Sequence, residues 1–446
     1  MSYWFVILFW SICLEGLGRK YIPAIPSIAF YVLKDVILLF GLLKFRPSKL
    51  TTQTMSSLYG SYRIFWVTAL GFTVVQLFNP EQASLPLGLL GLRAYWLWWI
   101  APVVVAGVLE NPKAKRAAIY LLIFTSIGIA GLAAAQFASP PSSAINLYSV
   151  VNGEEIYADM ATVHSTGRAR VSGTFSFLSG FVAFTLLVPA LLLSIGMSTE
   201  DKTLRKWAFV AMAATAAVLP MSGSRGPVIL GVIVLAISAW TAGLFFTRAG
   251  RRTLIGVLVA VVLAATAFPD ALGGVQDRFS DTAETTSRLL DAFQFLPPVA
   301  LSTVDYPVGG IGTGMMQNAR FTMGGLTSYW CEGENGRYLV ELGVVGFFLV
   351  WAAKLGLAVA LFRCYRILKR AGRRAAAGSA LSYTFLTMVG GNLVFDHVWQ
   401  ALFFTGSGFI LAEVVAVRKQ QAEAAAPVVP AVLPVRVPTM GFARRG

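Results

Sequence analysis

Five arginines, Arg170, Arg225, Arg288, Arg320 and Arg337, fall in or beside polar segments of a chain that is otherwise strongly apolar. Glu332 and Glu334 lie among them. A guanidinium is a permanently charged, planar fork of donors that grips carboxylate or phosphate oxygens in pairs. Each hydrogen bond to a charged group contributes about 1.5–3 kcal/mol. Two or three arginines around one diphosphate would hold it and stabilise it as a leaving group, since fixed charge aimed at developing charge is usually the largest catalytic effect. No Asp-x-Asp pair offers itself on the same segments to hold a metal. A carboxylate beside such a clamp is a candidate base for a hydroxyl, provided that it reaches the proton. Glu334, Arg337 and Glu341 are spaced for ion pairs along a helix, so they can equally form a structural ladder. Glu332 falls outside that spacing and is freer to act as the base; the choice between Glu332 and Glu334 stays open.

Composition dictates what positions these groups. Hydrophobic residues make up 56% of the chain and charged residues 13%, against roughly 25% charged in a soluble domain. The chain is therefore expected to be an all-α polytopic membrane protein. A span needs about 20 apolar residues. About 12 spans are expected on that basis: Ser2–Leu17, Ser27–Phe45, Tyr62–Phe78, Leu87–Leu109, Ala117–Phe137, Thr174–Gly196, Trp207–Met221, Val228–Phe246, Thr253–Phe268, Tyr338–Phe362, Ser382–Phe395 and Trp399–Val417. Residues 1–268 then hold the first nine spans and an outer loop over 139–173. Residues 269–337 form the one long polar loop, with the glycine turn Gly309–Gly314. Residues 338–417 hold the last three spans, and 418–446 form a basic Ala/Pro/Val-rich tail expected to be disordered. Met1 to Leu14 has no basic n-region or cleavage site and is expected to stay as the first helix.

The net charge of +15 follows topology rather than nucleic-acid binding. Lys44, Arg46 and Lys49 share one set of alternate loops with Lys113, Lys115 and Arg116. Lys202, Arg205, Lys206, Arg248, Arg251 and Arg252 fall in the same set, and Arg363 to Arg374 and the tail continue it. Lys and Arg collect in cytoplasmic loops, so that side is inside and both termini are cytoplasmic. The 139–173 loop, the Ser224-Arg225-Gly226 turn and the 269–337 loop then lie outside. Arginines on that side run against the bias, which points to an anionic ligand. For Arg278 and Arg320 the alternative is a tie to the loop's own carboxylates.

Several residues carry two readings. Lys34-Asp35 is an opposite-charge pair inside a span and should face protein, as an internal ion pair or in a direct role. Lys354 likewise needs a partner or an aqueous cavity. Tyr95, Trp96, Trp98 and Trp99 fit an interfacial aromatic belt, or rings for stacking on sugars. Arg168 and Arg170 either bind an anion or pair with Glu154 or Asp159. Arg225 sits in a tight turn before a helix N-terminus, where backbone N–H groups favour anions, with Pro227 placed for the helix start; the alternative is an arginine snorkelling at the boundary. Of three cysteines, Cys13 and Cys364 fall on apolar helices, so no disulfide framework follows. The two histidines, His164 and His397, are far apart, which argues against a histidine-based metal site.

Four passages resemble the superfamily of O-antigen ligases and Wzy-type polysaccharide polymerases, in its exopolysaccharide-polymerase-like branch. They are Glu15-Gly16-Leu17-Gly18-Arg19-Lys20 with Leu33-Lys34-Asp35, then Gly173-Thr174-Phe175, then Ser224-Arg225-Gly226. The fourth runs from Ser287-Arg288 through Pro307–Gly312 to Glu332–Arg337 and Glu341-Leu342-Gly343. The resemblance implies a GT-C-like fold in the bacterial inner membrane, with a periplasmic catalytic loop. It implies metal-independent inverting glycosyl transfer without a cofactor, with undecaprenyl-diphosphate-linked glycans as donor and acceptor. By position, Arg225 and Arg288 match arginines that engage the lipid diphosphate. Glu332 then stands as the catalytic base, and Arg170, Arg320, Arg337 and Glu334 as substrate contacts. Membrane lipids surround the site, a flippase and a chain-length regulator are candidate partners, and nucleic acid is not. The ligase branch carries a histidine nine residues before the glutamate of its Glu-x-Gly turn; here that position, counted from Glu341, is Glu332. The departure favours a polymerase over a ligase that moves the glycan to lipid A-core. A transporter of lipid-linked sugars is the third alternative, although no internal repeat supports it.

Overall fold

The computed structural model describes residues 2–22, 24–151, 154–157, 162, 167–271, 296–321, 323–325, 327–329, 331, 333–390 and 392–425. Helices dominate. The N-terminal group is α1 (Ser2–Cys13), α2 (Glu15–Tyr21), α3 (Ser27–Lys44), α4 (Lys49–Tyr59), α5 (Arg63–Val75), α6 (Leu85–Trp96), α7 (Ala101–Leu109) and α8 (Pro112–Ala138). A two-stranded antiparallel hairpin follows, β1 (Leu147–Val151) and β2 (Glu154–Tyr157), with Val151 opposite Glu154. Next come α9 (Leu178–Ser198), α10 (Lys202–Ala217), α11 (Arg225–Ala242), α12 (Arg248–Ala267) and the short α13 (Pro297–Thr303). The chain closes with α14 (Glu334–Arg370), α15 (Arg374–Val389) and α16 (His397–Ala425).

Each expected apolar segment overlaps a helix, although Ser382–Phe395 runs past the end of α15 at Val389 and Tyr338–Phe362 is broken at Gly343. Eight helical stretches among the described residues are long and apolar enough to cross a membrane, so the chain is a polytopic, helical membrane protein. α3 has the length but carries Lys34, Asp35 and Lys44. The tail is expected to be disordered from residue 418, but α16 continues through Ala425, because 418–425 extends the helical pattern with good helix formers; residues 426–446 lie outside the described residues.

α16 is the axis of the bundle: 89% of its apolar window is buried within the protein. Over residues 399–417 it is apolar on all sides but for Gln400, Thr405, Ser407 and Glu413, the pattern of a helix enclosed by other helices. Small residues allow the approach. A Cβ at Gly406 would collide with the Tyr383 ring, and one at Gly408 with Val105. α9, buried through most of its length, packs beside it and completes the core with α7, α8 and α15.

Candidate functional site

The glycines of the Glu15–Lys20 stretch place α2. A Cβ at Gly16 would strike the backbone of Phe175 and Ser176, and one at Gly18 the Phe30 ring. α2 therefore lies directly on the 172–176 segment. The Thr174 hydroxyl donates to the Cys13 carbonyl, and the Lys20 ammonium donates to the Ser172 hydroxyl at 2.8 Å. Gly173, at φ +58°, makes a turn that a β-carbon would strain, and its N–H is held by Gln136. Two passages 150 or so residues apart in sequence thus become one structural unit, as the Lys20–Ser172 separation of 152 shows.

The third passage joins this unit. Arg170 Nε donates to the Ser222 carbonyl at 3.1 Å, and its NH2 donates to Ser224 Oγ at 2.6 Å. Val171 N–H donates to the Met221 carbonyl. Gly223 takes the left-handed conformation, φ +61°, that lets the chain double back. Arg225 is then the first residue of α11 and is half-buried. Ser224 stands at the N-cap, but its side chain makes no capping bond; Arg170 donates to it instead. The Ser224 side chain therefore leaves the first N–H groups of α11 uncapped, and N–H groups at a helix start favour anions. Pro227 sits at the third position of α11 rather than the first, still within the turn whose N–H groups have no helical acceptor. Arg170 and Arg225 are brought to one turn. Arg168 pairs elsewhere, with Asp270 at 3.0 Å.

Lys34 and Asp35 do not pair with each other. Adjacent helical side chains diverge by about 100°, so each finds a partner on another helix. Lys34 binds Glu15 of α2, which also meets Arg19 at 3.5 Å. Asp35 binds Arg93 of α6 and accepts from Trp98 Nε1 at 3.0 Å. The Arg93 guanidinium lies 4.2 Å from the Tyr31 ring centroid, and the Tyr31 hydroxyl contacts His397 at the start of α16. The expected aromatic belt is overturned by the same geometry. Tyr95 and Trp98 are 1% and 0% exposed. Trp96 donates to Thr73, and Trp99 to the Tyr95 carbonyl. These rings have polar partners inside the protein and so need no headgroup layer.

The fourth passage forms a broken helix. Gly343 in α14 has φ +65° and ψ −173°, a region open essentially to glycine. The two halves, 334–342 and 344–370, fold back on each other. Glu334 and Lys354 would be about 30 Å apart along a straight helix, yet their charged groups meet at 2.8 Å. Trp351 Nε1 likewise donates to Asn335 Oδ1 at 2.9 Å. The glycine turn fills the break. Ile311 and Gly312 N–H donate to the carbonyls of Val340 and Glu341, and Val344 N–H donates to the Val308 carbonyl. Gln76 and Asn79 hold the carbonyls of Gly309 and Gly310. Glu341, fully buried, accepts from Met316 N–H at 2.7 Å and from the Tyr95 hydroxyl at 3.0 Å.

The helical ladder is therefore not formed. Glu334 is taken by Lys354 and by Val394 N–H at 2.8 Å, and Glu341 by α6 and the glycine turn. The expected need of Lys354 for a partner is met by Glu334. Arg337 is half-buried, 3.4 Å from the Cys331 carbonyl and over the Phe395 ring. Arg320 is 6% exposed and donates to the Met315 carbonyl at 3.1 Å; it ties its own loop together. Arg288 and Glu332 lie outside the described residues, as do Arg278, Glu284 and His164.

The Glu334–Lys354 contact gives an expected outcome. Glu334→Gln or Lys354→Met alone removes one partner of a buried ion pair and should destabilise by about 3–5 kcal/mol, whereas the double variant should recover most of it. Thermal unfolding in detergent checks this; equal losses in single and double variants would contradict it.

α6 and the 390–397 segment link the two clusters. Tyr95 reaches Glu341, Arg93 reaches Asp35, Gln400 donates to the Ala94 carbonyl, and Glu334 accepts from Val394. The arrangement offers a partly buried cationic turn, Arg170–Arg225, beside a rigid, fully partnered helix break. Sequence reasoning gave no individual role to Lys20 or Arg93, and placed Glu341 in a helical ladder rather than against α6 and the glycine turn. A charged residue inside or at the edge of an apolar segment was the available signal for all three. Comparison with protein-family models finds no match, and comparison with curated proteins finds none.

Proposed function

We propose that this protein is a polysaccharide polymerase of the bacterial inner membrane, crossing it about 12 times with both termini in the cytoplasm and its site at the periplasmic face. It joins undecaprenyl-diphosphate-linked oligosaccharide repeats by inverting transfer. The acceptor hydroxyl oxygen attacks the anomeric carbon of the donor glycan as the bond from that carbon to the diphosphate oxygen breaks. The hydroxyl proton passes to Glu332. The charge that gathers on the departing diphosphate falls on Arg225, with Arg288 as its second clamp. The observation that carries this reading is the locking of Arg170 onto Ser222 and Ser224, which fixes Arg225 at an α11 N-terminus that Ser224 does not cap. Such a turn is suited to a phosphate group.

Purified protein in lipid nanodiscs, given lipid-linked oligosaccharide and a chelator, should produce a ladder of longer lipid-linked glycans. Movement of the substrate across the bilayer without a new glycosidic bond would select a transporter, and transfer only to lipid A-core would select a ligase.

A further inference from the structure

We propose that Lys20 is a further substrate-binding residue, the third cation of the Arg170–Arg225 site, contacting the diphosphate of the lipid-linked donor. This rests on the polymerase reading and adds a residue that the reading does not use.

Lys20 is 3% exposed, and its ammonium has three donors. Among the described residues its one hydrogen-bond acceptor is Ser172 Oγ, and no carboxylate pairs with it. A buried cation left in that state is costly to the fold. The other buried lysines differ: Lys34 has Glu15 and Lys354 has Glu334. Ser172 lies two residues from Arg170 on the segment that α2 covers. The Tyr148 ring is 5.5 Å from Lys20 Nζ, and its hydroxyl also feels the Arg170 charge. Lys20 thus reaches, through Ser172, the same 170–172 segment that carries Arg170 to the α11 turn, with carboxylates absent from the described contacts of Lys20. A dianion entering there supplies the missing acceptors.

Burial, and secondarily Arg19 beside it, lowers the Lys20 ammonium to about 7. Glu15, on the same helix, is engaged by Lys34 and Arg19; Arg19 and Tyr148 are the other charged or titratable groups against Lys20. The cationic form is therefore only partly populated near neutral pH and is completed by anion binding. Affinity should fall as pH rises above 7, with a proton taken up on binding.

The test measures binding of geranylgeranyl diphosphate and, separately, inorganic pyrophosphate to the full-length protein in detergent, at pH 6.5 and 8.5. Calorimetry in buffers of different ionisation enthalpy counts the protons. At pH 6.5 Lys20→Gln, which keeps a hydrogen bond to Ser172, should bind the lipid diphosphate about tenfold more weakly. Lys20→Arg should bind as tightly as wild type at pH 6.5 and lose the proton uptake at pH 8.5. Preference for the lipid form over pyrophosphate marks a headgroup site; equal binding marks a general diphosphate site. If Lys20→Gln matches wild type in affinity and proton count while Arg170→Ala and Arg225→Ala bind weakly, the Lys20 assignment falls alone. If all variants and the wild type are alike, the polymerase reading falls, and the Lys20 assignment with it.

Discussion

On the polymerase reading, Arg225→Ala protein is expected to fold normally and to extend lipid-linked glycan about a hundredfold or more slowly than wild type, the scale seen when one fixed electrostatic contact to a departing charge is removed. Donor binding should weaken as well, but turnover should fall further, because charge on the diphosphate grows as the glycosidic bond breaks. Arg225→Lys keeps the charge but loses the planar fork and should recover only part of the rate. Arg170→Ala acts indirectly. It frees Ser222 and Ser224, so the Arg225 turn is no longer held. Single-turnover extension assays on protein of unchanged thermal midpoint measure both. Wild-type extension by Arg225→Ala would end the assignment.

Gly343→Ala has the second large expected effect, and it is on folding. A β-carbon at φ +65° is strained, at about 1–3 kcal/mol. It would also run into the Val308 carbonyl oxygen and the Gly309–Gly310 backbone. Displacing the glycine turn uncouples Glu341 from Met316 and parts Glu334 from Lys354. A loss of more than about 3 kcal/mol is expected, seen as aggregated protein in size-exclusion chromatography or a much lower thermal midpoint. Gly128→Ala is the control: its helix site has no neighbour within 4 Å of an added Cβ. There alanine should stabilise by roughly 0.5–1 kcal/mol.

How far sequence reached depended on the range of the interactions. Apolar runs located the helices because local hydropathy alone decides whether a segment resembles a span. The Lys354 argument reached further, since a buried ammonium must have a partner, and Glu334 is that partner. The identity of partners was not legible. Lys34 meets Glu15 across 19 residues, and Asp35 meets Arg93 across 58; only helix packing sets those pairs. The reversal at Gly343 was hidden for a related reason. Its sequence continues the apolar pattern, and one residue's backbone conformation separates a straight span from a hairpin. The tyrosine–tryptophan cluster looked like a surface belt because composition records an amphipathic ring but not which of its ends is wet. Within the candidate site, Arg170 and Arg225 lie on one turn, Arg320 and Glu334 are committed to internal bonds, and Arg288 and Glu332 fall outside the described residues.

The crossed pairs at Lys34 and Asp35 also constrain biogenesis. A lysine or aspartate at the centre of a lone helix opposes membrane insertion by about 2.5–3.5 kcal/mol each. Glu15 precedes α3 and is on hand when α3 leaves the ribosome, but Arg93 is made 58 residues later. On the polymerase reading, with α3 as a span, it would reach the translocon with one charge answered and one outstanding. Its final seat would wait for α6, so the N-terminal helices would settle together rather than one by one.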